Sequence, residues 1–348
     1  MTLFGEVHLE EQLFQWEGYC LRPFQLESQL SCRGYSLPLQ RRIVDFAADV
    51  SFENAQKKLK EHYGIDIGKE RIRQITYAHC AAMKQGCELQ TQVPAKPGKA
   101  QIVVEADGSM IPLIRECPDR EGGSDMRKNK ALEWKEYRLA LAYGNGEVDP
   151  VYGGSFGSVD DTGDQMLDVA IRAGTGTRTS IHSVGDGATW VSDQSERVFG
   201  SQANFLIDYY HLCEYLAIAS KVMEEIDGKD WLHYAKKLCL EKNGAEKILK
   251  ELKPFVEPGP VPEEEAPVRQ CYRYIDNRHG QFRYYEAEKA GLPIGSGKIE
   301  SGNRSVIQAR LKKAGAWWKK ENADLMITMR IHRENRWWHT YWRGSRAA

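Results

Sequence analysis

The chain has 348 residues, 41% hydrophobic and 28% charged, which is the length of two or three domains and enough apolar mass for a buried core. No run approaches the roughly 20 apolar residues of a membrane span, and Met1 to Gln12 is charged throughout, unlike a signal peptide, so a cytoplasmic protein is expected. The net charge of −1 conceals a segregation: from Lys298 onward twelve Lys/Arg face four Asp/Glu, whereas the first 38 residues hold five acids and two bases. Binding follows the local field, so the near-neutral sum does not exclude a nucleic-acid partner.

Residues 1–98 are mostly helical by pattern. The eight cysteines form no CxxC, and without a secretion signal they stay reduced. Cys20 and Cys32 could supply half a zinc site, but no second pair of comparable spacing stands nearby. Ser51 is an N-cap before Phe52-Glu53-Asn54-Ala55, and Phe52, Ala55 and Leu59 form an apolar stripe. Gly64 ends that helix, and Ile65 to Gly68 leads into a second carrying Ile72 and Ile75. Such a pair is compatible with a helix-turn-helix presenting Lys69, Arg71 and Arg73, or equally with a helical hairpin whose basic face is solvated. Val93 to Lys99 reads as a linker.

The next region, 99–211, alternates strands and helices. Strands are expected at 101–106, 137–143, 151–156, 180–184 and 203–207, with a helix at 163–173, giving a mixed sheet with helices on its faces. Residues 212–290 read as a helical insertion interrupted by the acidic, proline-rich stretch 254–267. A glycine loop at 291–297 then precedes a long helix from about Lys298, and 291–348 ends in a basic tail rich in tryptophan.

Three carboxylates stand where strands or glycine loops end: Asp107 before Gly108, Asp186 between Gly185 and Gly187, and Glu300 after the loop. Taken singly, each Asp-Gly reads more readily as a hairpin turn, and Glu300 as a first-turn acid. Spacing alone does not separate ligands from turns.

Five blocks together carry more. Val104-Glu105-Ala106-Asp107-Gly108, Gly185-Asp186-Gly187-Ala188-Thr189-Trp190, and Gly291 to Ser301 resemble the three signature blocks of DDE transposases of bacterial insertion sequences. The nearest likeness is to the Kra type, itself similar to the mutator-like set. Asp208-Tyr209-Tyr210-His211 resembles the D-x-x-H element that follows the second aspartate in those families. Arg310 to Trp318, with Arg330 and Asn335-Arg336-Trp337-Trp338, resembles their C-terminal block. The likeness runs from about residue 43 to 342 with all five blocks in order. Many relatives have a cysteine-rich patch near the N-terminus, of which only Cys20 and Cys32 stand here.

The resemblance implies an α/β fold: an RNase H-like core of mixed sheet flanked by helices, with the helical insertion at 212–290 and a helical, DNA-binding N-terminal region. It implies Asp107, Asp186 and Glu300 as catalytic metal ligands for two Mg²⁺ or Mn²⁺ ions. Asp208 and His211 follow as an auxiliary pair. Carboxylates without cysteine or histidine suit hard cations, and paired cations suit an in-line phosphodiester displacement. The implied partners are double-stranded DNA, as element ends and target, and further copies of the chain, on the nucleoid. DNA contacts are expected from Lys69, Arg71, Arg73, Arg304, Arg310, Lys312, Lys313, Lys319 and Lys320, with Trp337 and Trp338 stacking on bases. Trp317 is expected to pack on the core. Two alternatives stand beside this reading. One is a transposase-derived DNA-binding protein that no longer cuts. The other is a carboxylate hydrolase such as a glycosidase, which leaves the third acid, the insertion and the basic tail without a role.

Overall fold

A computed structural model describes residues 1–8, 10–27, 34–116, 130–227 and 230–344. Cys32, half of the candidate zinc pair, lies outside them, while Cys20 is an exposed free thiol. The chain divides into two compact units, Met1–Glu88 with Ser109–Glu136 and Gly302–Ala348, and Leu89–Gly108 with Tyr137–Ser301. Among the described residues no helix is long and apolar enough to cross a membrane.

The first unit begins with an exposed hairpin of β1 (Phe14–Trp16) and β2 (Tyr19–Leu21), followed by α1 (Pro23–Glu27). Its core is helical: α2 (Leu37–Asp49), α3 (Phe52–Tyr63) and α4 (Lys69–Gln85). The expected local signals operate. Ser51 Oγ accepts the Asn54 N–H at 3.2 Å, the N-cap bond that satisfies an orphan donor. Gly64 closes α3 at φ +65, where a glycine carries no Cβ penalty. Leu39, Ile43, Ala55, Leu59, Ile72, Ile75 and Met83 are all buried, joined by Met326, Ile327 and Met329.

The long helix expected from Lys298 is not one helix. It is α12 (Gly297–Gly302), a π-helical turn at Asn303–Gln308, the short α13 (Ala309–Leu311), a break, then α14 (Lys320–Glu334) and α15 (Trp338–Gly344). A side chain inserted into the carbonyl ladder bends or re-registers a helix. Here Arg330 donates to the Ser305 and Val306 carbonyls inside the π turn. Gly315, at φ +74, sits in the break that follows.

The second unit contains most of a five-stranded sheet ordered β5-β4-β3-β6-β7: β3 (Gln101–Glu116), β4 (Lys130–Gly144), β5 (Val151–Ser155), β6 (Ser180–Gly185) and β7 (Ala203–Ile207). β4 and β5 are antiparallel, while β3, β6 and β7 run parallel, so the sheet is mixed as expected. β3 does not stop at Ala106. It continues through Asp107-Gly108, so this Asp-Gly is strand rather than turn.

Strand alternation puts Ile102, Val104 and Ala106 on one face. They cluster with Met166, Val169 and Ala170 of α5 (Val159–Ala173) and Val191 and Phe199 of α6 (Thr189–Phe199). The insertion supplies α7 (Tyr209–Asp227), α8 (Trp231–Cys239), α9 (Gly244–Leu252), α10 (Pro267–Asp276) and α11 (Tyr284–Lys289). Their core includes Leu206 and Ile207 of β7.

The linker-like stretch is docked rather than free. The Lys96 and Pro97 carbonyls accept the Thr177 and Arg178 N–H groups, and Lys99 N–H donates to Gly174. Two glycines permit the approach: a Cβ on Gly98, at φ +75, would stand 2.3 Å from Gly176 N.

Candidate active site

The parallel strands set the site. Glu105 pairs with Val184, and Gly185 with Ile207. Carried on by one or two positions, this register puts Asp107, Asp186 and Asp208 in one row across three neighbouring strands, within β3 and at the carboxyl ends of β6 and β7. Adjacent strands stand about 4.8 Å apart, and this edge is where α/β sheets place their ligands. Asp208 N–H donates to the Gly185 carbonyl at 2.7 Å, which continues the ladder to the row itself.

The three aspartates differ in what holds them. Asp107, half-buried, accepts the Gly108 N–H on Oδ1 at 2.7 Å. Asp186, exposed, accepts the Ala188 N–H on Oδ1 at 2.9 Å. Asp208 is buried and saturated: Oδ1 accepts Tyr210 and His211 N–H, and Oδ2 accepts the Ser296 N–H and hydroxyl. It caps α7 and grips the loop leading to Glu300, so its four bonds account for it without a ligand.

The turn at Asp186 is held from the insertion. Tyr274 Oη donates to the Asp186 carbonyl at 2.9 Å, and Arg278 Nε to the Gly187 carbonyl at 3.1 Å. The Arg278 guanidinium lies 4.2 Å from the Tyr274 ring centre, and Tyr215 stacks on the same ring at 3.9 Å. His211 meets Tyr215 and Tyr274 edge-on, with Nδ1 3.3 Å from the Glu214 carboxylate. The auxiliary histidine thus stands against the tyrosine that fixes the Asp186 turn.

Glu300 is exposed in the first turn of α12. The strap before it is fastened to all three strands on the face away from α5 and α6. His182 Nε2 bonds the Pro293 carbonyl at 2.8 Å, Asp208 takes Ser296, and Glu105 Oε2 accepts the Ile299 N–H at 2.8 Å. Lys298 Nζ donates to the Glu147 and Val148 carbonyls and lies 3.5 Å from the Tyr143 ring centre. Burial pushes the Glu105 carboxyl up to about 7, against the opposing bonds from Ile299 and Tyr143, and lowers His182 and Lys298.

Glu105, His182, Tyr143, Ser296, Tyr274 and Arg278 were not among the sequence candidates. The one visible signal was an acid inside the apolar run Val103-Val104-Glu105-Ala106. Among the described residues no three His, Cys, Asp or Glu side chains form a ready-made metal cage. The register unites Asp107 with Asp186, and Glu300 is delivered separately by the strap. Asp107 and Asp186 offer carboxylate oxygens, the donor type hard cations prefer, from neighbouring strands of this edge, and Glu300 offers a third carboxylate at the end of the strap.

The residues expected to contact DNA divide. Lys69, Arg304, Lys312, Lys319 and Lys320 are exposed. Arg71 donates to Gln74, and Arg73 makes a two-point bond with Glu70. Lys313 caps the Asp49 carbonyl at 2.6 Å. Arg310 corrects the expectation: it is buried, donating to the Ala47 carbonyl at 3.0 Å between the Phe52 and Trp318 rings, because the end of α2 leaves carbonyls that a guanidinium satisfies. Trp338 is buried beside Trp342, while Trp337 is half-buried with His332 edge-on to it. Trp317 is 60% exposed and Trp318 is buried in its stead, since Trp318 pairs its carbonyl with the Ile114 N–H.

Residues 173–343 match a family described as uncharacterised, UPF0236. No curated protein matches the chain. Among solved structures, the Drosophila P element transposase strand transfer complex is similar at 10% identity and a TM-score of 0.32, covering 88% of this chain and 80% of that one.

Proposed function

We propose that the protein is a DDE transposase: it cuts and joins DNA at the ends of an insertion sequence of the Kra type by metal-dependent phosphodiester transfer on an RNase H-like core. The observation carrying this reading is the register of Asp107 with Asp186 on adjacent parallel strands, within five sequence blocks in family order. Asp107, Asp186 and Glu300 would hold two Mg²⁺ or Mn²⁺ ions. When bound, such a pair supplies a nucleophilic water and charge stabilisation at both oxygens of an in-line displacement. The two aspartates present oxygens from a rigid sheet edge, and Tyr274 with Arg278 keeps the Asp186 turn from moving. Asp208 and His211 act as supports of the strap and of that turn. The exposed Lys69, Arg304, Lys312, Lys319 and Lys320 attract double-stranded DNA at the element ends and target. The protein would work in the cytoplasm, on the nucleoid, as a dimer or larger assembly.

The test is cleavage of element-end DNA by purified protein with Mg²⁺ or Mn²⁺. New 3′-hydroxyl ends are expected, abolished in Asp107→Asn, Asp186→Asn and Glu300→Gln. Cleavage that survives Asp107→Asn overturns the site. DNA binding without cleavage under either metal identifies a silent, transposase-derived binding protein instead.

A further inference from the structure

A glutamate buried to 1% exposure in the middle of a catalytic strand is unusual, because burying a carboxylate is costly unless it is paired or hydrogen-bonded. Valine or isoleucine would serve the strand better. Among the described residues Glu105 has hydrogen-bond donors and no ion-pair partner. Oε1 accepts the Tyr143 hydroxyl at 2.9 Å and Oε2 the Ile299 N–H at 2.8 Å. Both donors concern the same place: Ile299 directly precedes Glu300, and Tyr143 carries Lys298 on its ring at 3.5 Å. The two residues before Glu300 are therefore pinned, one through Glu105 and one through Tyr143 and the Glu147 and Val148 carbonyls.

Glu105 also lies two residues before Asp107 on the same strand, hence on the same face and about 6.6 Å away along it. One rigid segment of β3 thus bears the first aspartate and grips the backbone at Glu300. Sequence separation between those two acids is bridged by a single buried side chain. The strap contacts of His182 and Asp208 fall further back, at Pro293 and Ser296, whereas that of Glu105 falls on the residue next to Glu300.

We propose that Glu105 is a positioning residue, whose bond to the Ile299 N–H fixes Glu300 relative to Asp107 and so completes the carboxylate set. This rests on the transposase reading only for what the completed set does; the anchoring itself is independent of it.

Full-length protein serves for the test. Hydrogen exchange at 296–302 should accelerate about ten- to a hundredfold in Glu105→Ala, the factor that one lost charge-assisted bond carries. Glu105→Gln should restore most of the protection. Its amide oxygen still accepts from Ile299, and the Tyr143 hydroxyl can rotate to accept from the amide nitrogen. Mn²⁺ binding, read by electron paramagnetic resonance, should weaken about tenfold or more in Glu105→Ala. It should weaken similarly in Glu300→Gln, with no further loss in the double variant. Wild-type exchange at 296–302 in Glu105→Ala overturns the anchor, and additive losses of Mn²⁺ affinity overturn the coupling to Glu300. If Glu105→Ala does not fold, Glu105→Gln decides alone: protection lost there also overturns the anchor. Asp107→Asn reads the functional proposal separately. Wild-type Mn²⁺ affinity in that variant removes the metal site, while the exchange measurement still decides what holds the strap.

Discussion

Gly187 is the position where backbone conformation and the candidate site meet most tightly. Its φ of +89 lies in the left-handed region, and a Cβ there would stand 2.5 Å from Tyr274 Oη and 3.3 Å from the ring carbon bearing it. Gly187→Ala therefore carries two costs. The backbone penalty for an L side chain is roughly 1–2 kcal/mol. The clash displaces the hydroxyl that donates to the Asp186 carbonyl, adding the lost bond and an unsatisfied buried group at about 1–3 kcal/mol. The single variant should lose about 2–5 kcal/mol on these two figures. Tyr274→Phe alone removes the hydroxyl bond, about 1 kcal/mol. In the double variant the 2.5 Å clash is gone and only the approaches to the Tyr274 ring carbon at 3.3 Å and to Arg278 Nε at 3.4 Å remain, so its loss should fall short of the sum by roughly 1 kcal/mol or more, a coupling expected only of residues in contact. Urea denaturation of the four proteins measures the cycle, and Mn²⁺ binding reads whether Asp186 moves. Losses that add within about 0.3 kcal/mol refute the claim that Tyr274 buttresses this turn.

Three further outcomes are expected. Burial holds His79 down to about 4, so its neutral form is favoured in the fold; stability of the first unit is complete above about pH 6.5 and falls between there and pH 4, by on the order of 3 kcal/mol. His79→Asn should flatten that part of the pH profile, and an unchanged profile refutes it. Arg330 donates to the Ala48, Ser305 and Val306 carbonyls from a buried position, so Arg330→Met should cost about 3 kcal/mol or more in a denaturation experiment; a loss under 1 kcal/mol would show that those carbonyls do not depend on it. Replacing Lys312, Lys319 and Lys320 with alanine should lower the slope of log affinity for DNA against log salt by about 0.9 per phosphate contact, and an unaltered slope puts the DNA path elsewhere.

Much of the sheet was legible because its signals are local. Strands 180–185 and 203–207, the helix before them and the Ser51 cap all follow from patterns within a dozen residues. The candidate acids were singled out by their flanking glycines and by the resemblance of the blocks that contain them. What stayed hidden depends on pairing across the chain. Asp107-Gly108 resembled a strand end because Asp-Gly favours turns, yet a neighbouring strand carries β3 through it. The register of Asp107 with Asp186 exists only once β3 and β6 are paired. The tail showed how composition misleads: Arg310 and Trp338 looked like DNA contacts by type, but α2 needed its terminal carbonyls capped and the helical core needed an aromatic. The π turn after Glu300 was equally invisible, since Arg330, which bonds its Ser305 and Val306 carbonyls, lies about two dozen residues beyond it.

The polar residues of the second unit divide by burial, and the division follows their work. Glu105, His182 and Asp208 are almost fully buried, and each bonds the backbone between Pro293 and Ile299. Buried polar groups are retained where they are hydrogen-bonded, and three of them on one strap hold a single docked position better than apolar contacts, which slide. Asp186 and Glu300 are exposed, and Asp107 is half-buried, which leaves their oxygens open to the cation and phosphate that the proposed function requires. Fixing the exposed acids through buried neighbours lets their oxygens keep access to solvent without giving up position. On that reasoning the proposed activity would depend on the buried trio as much as on Asp107, Asp186 and Glu300, although only Asp208 of that trio was among the sequence candidates.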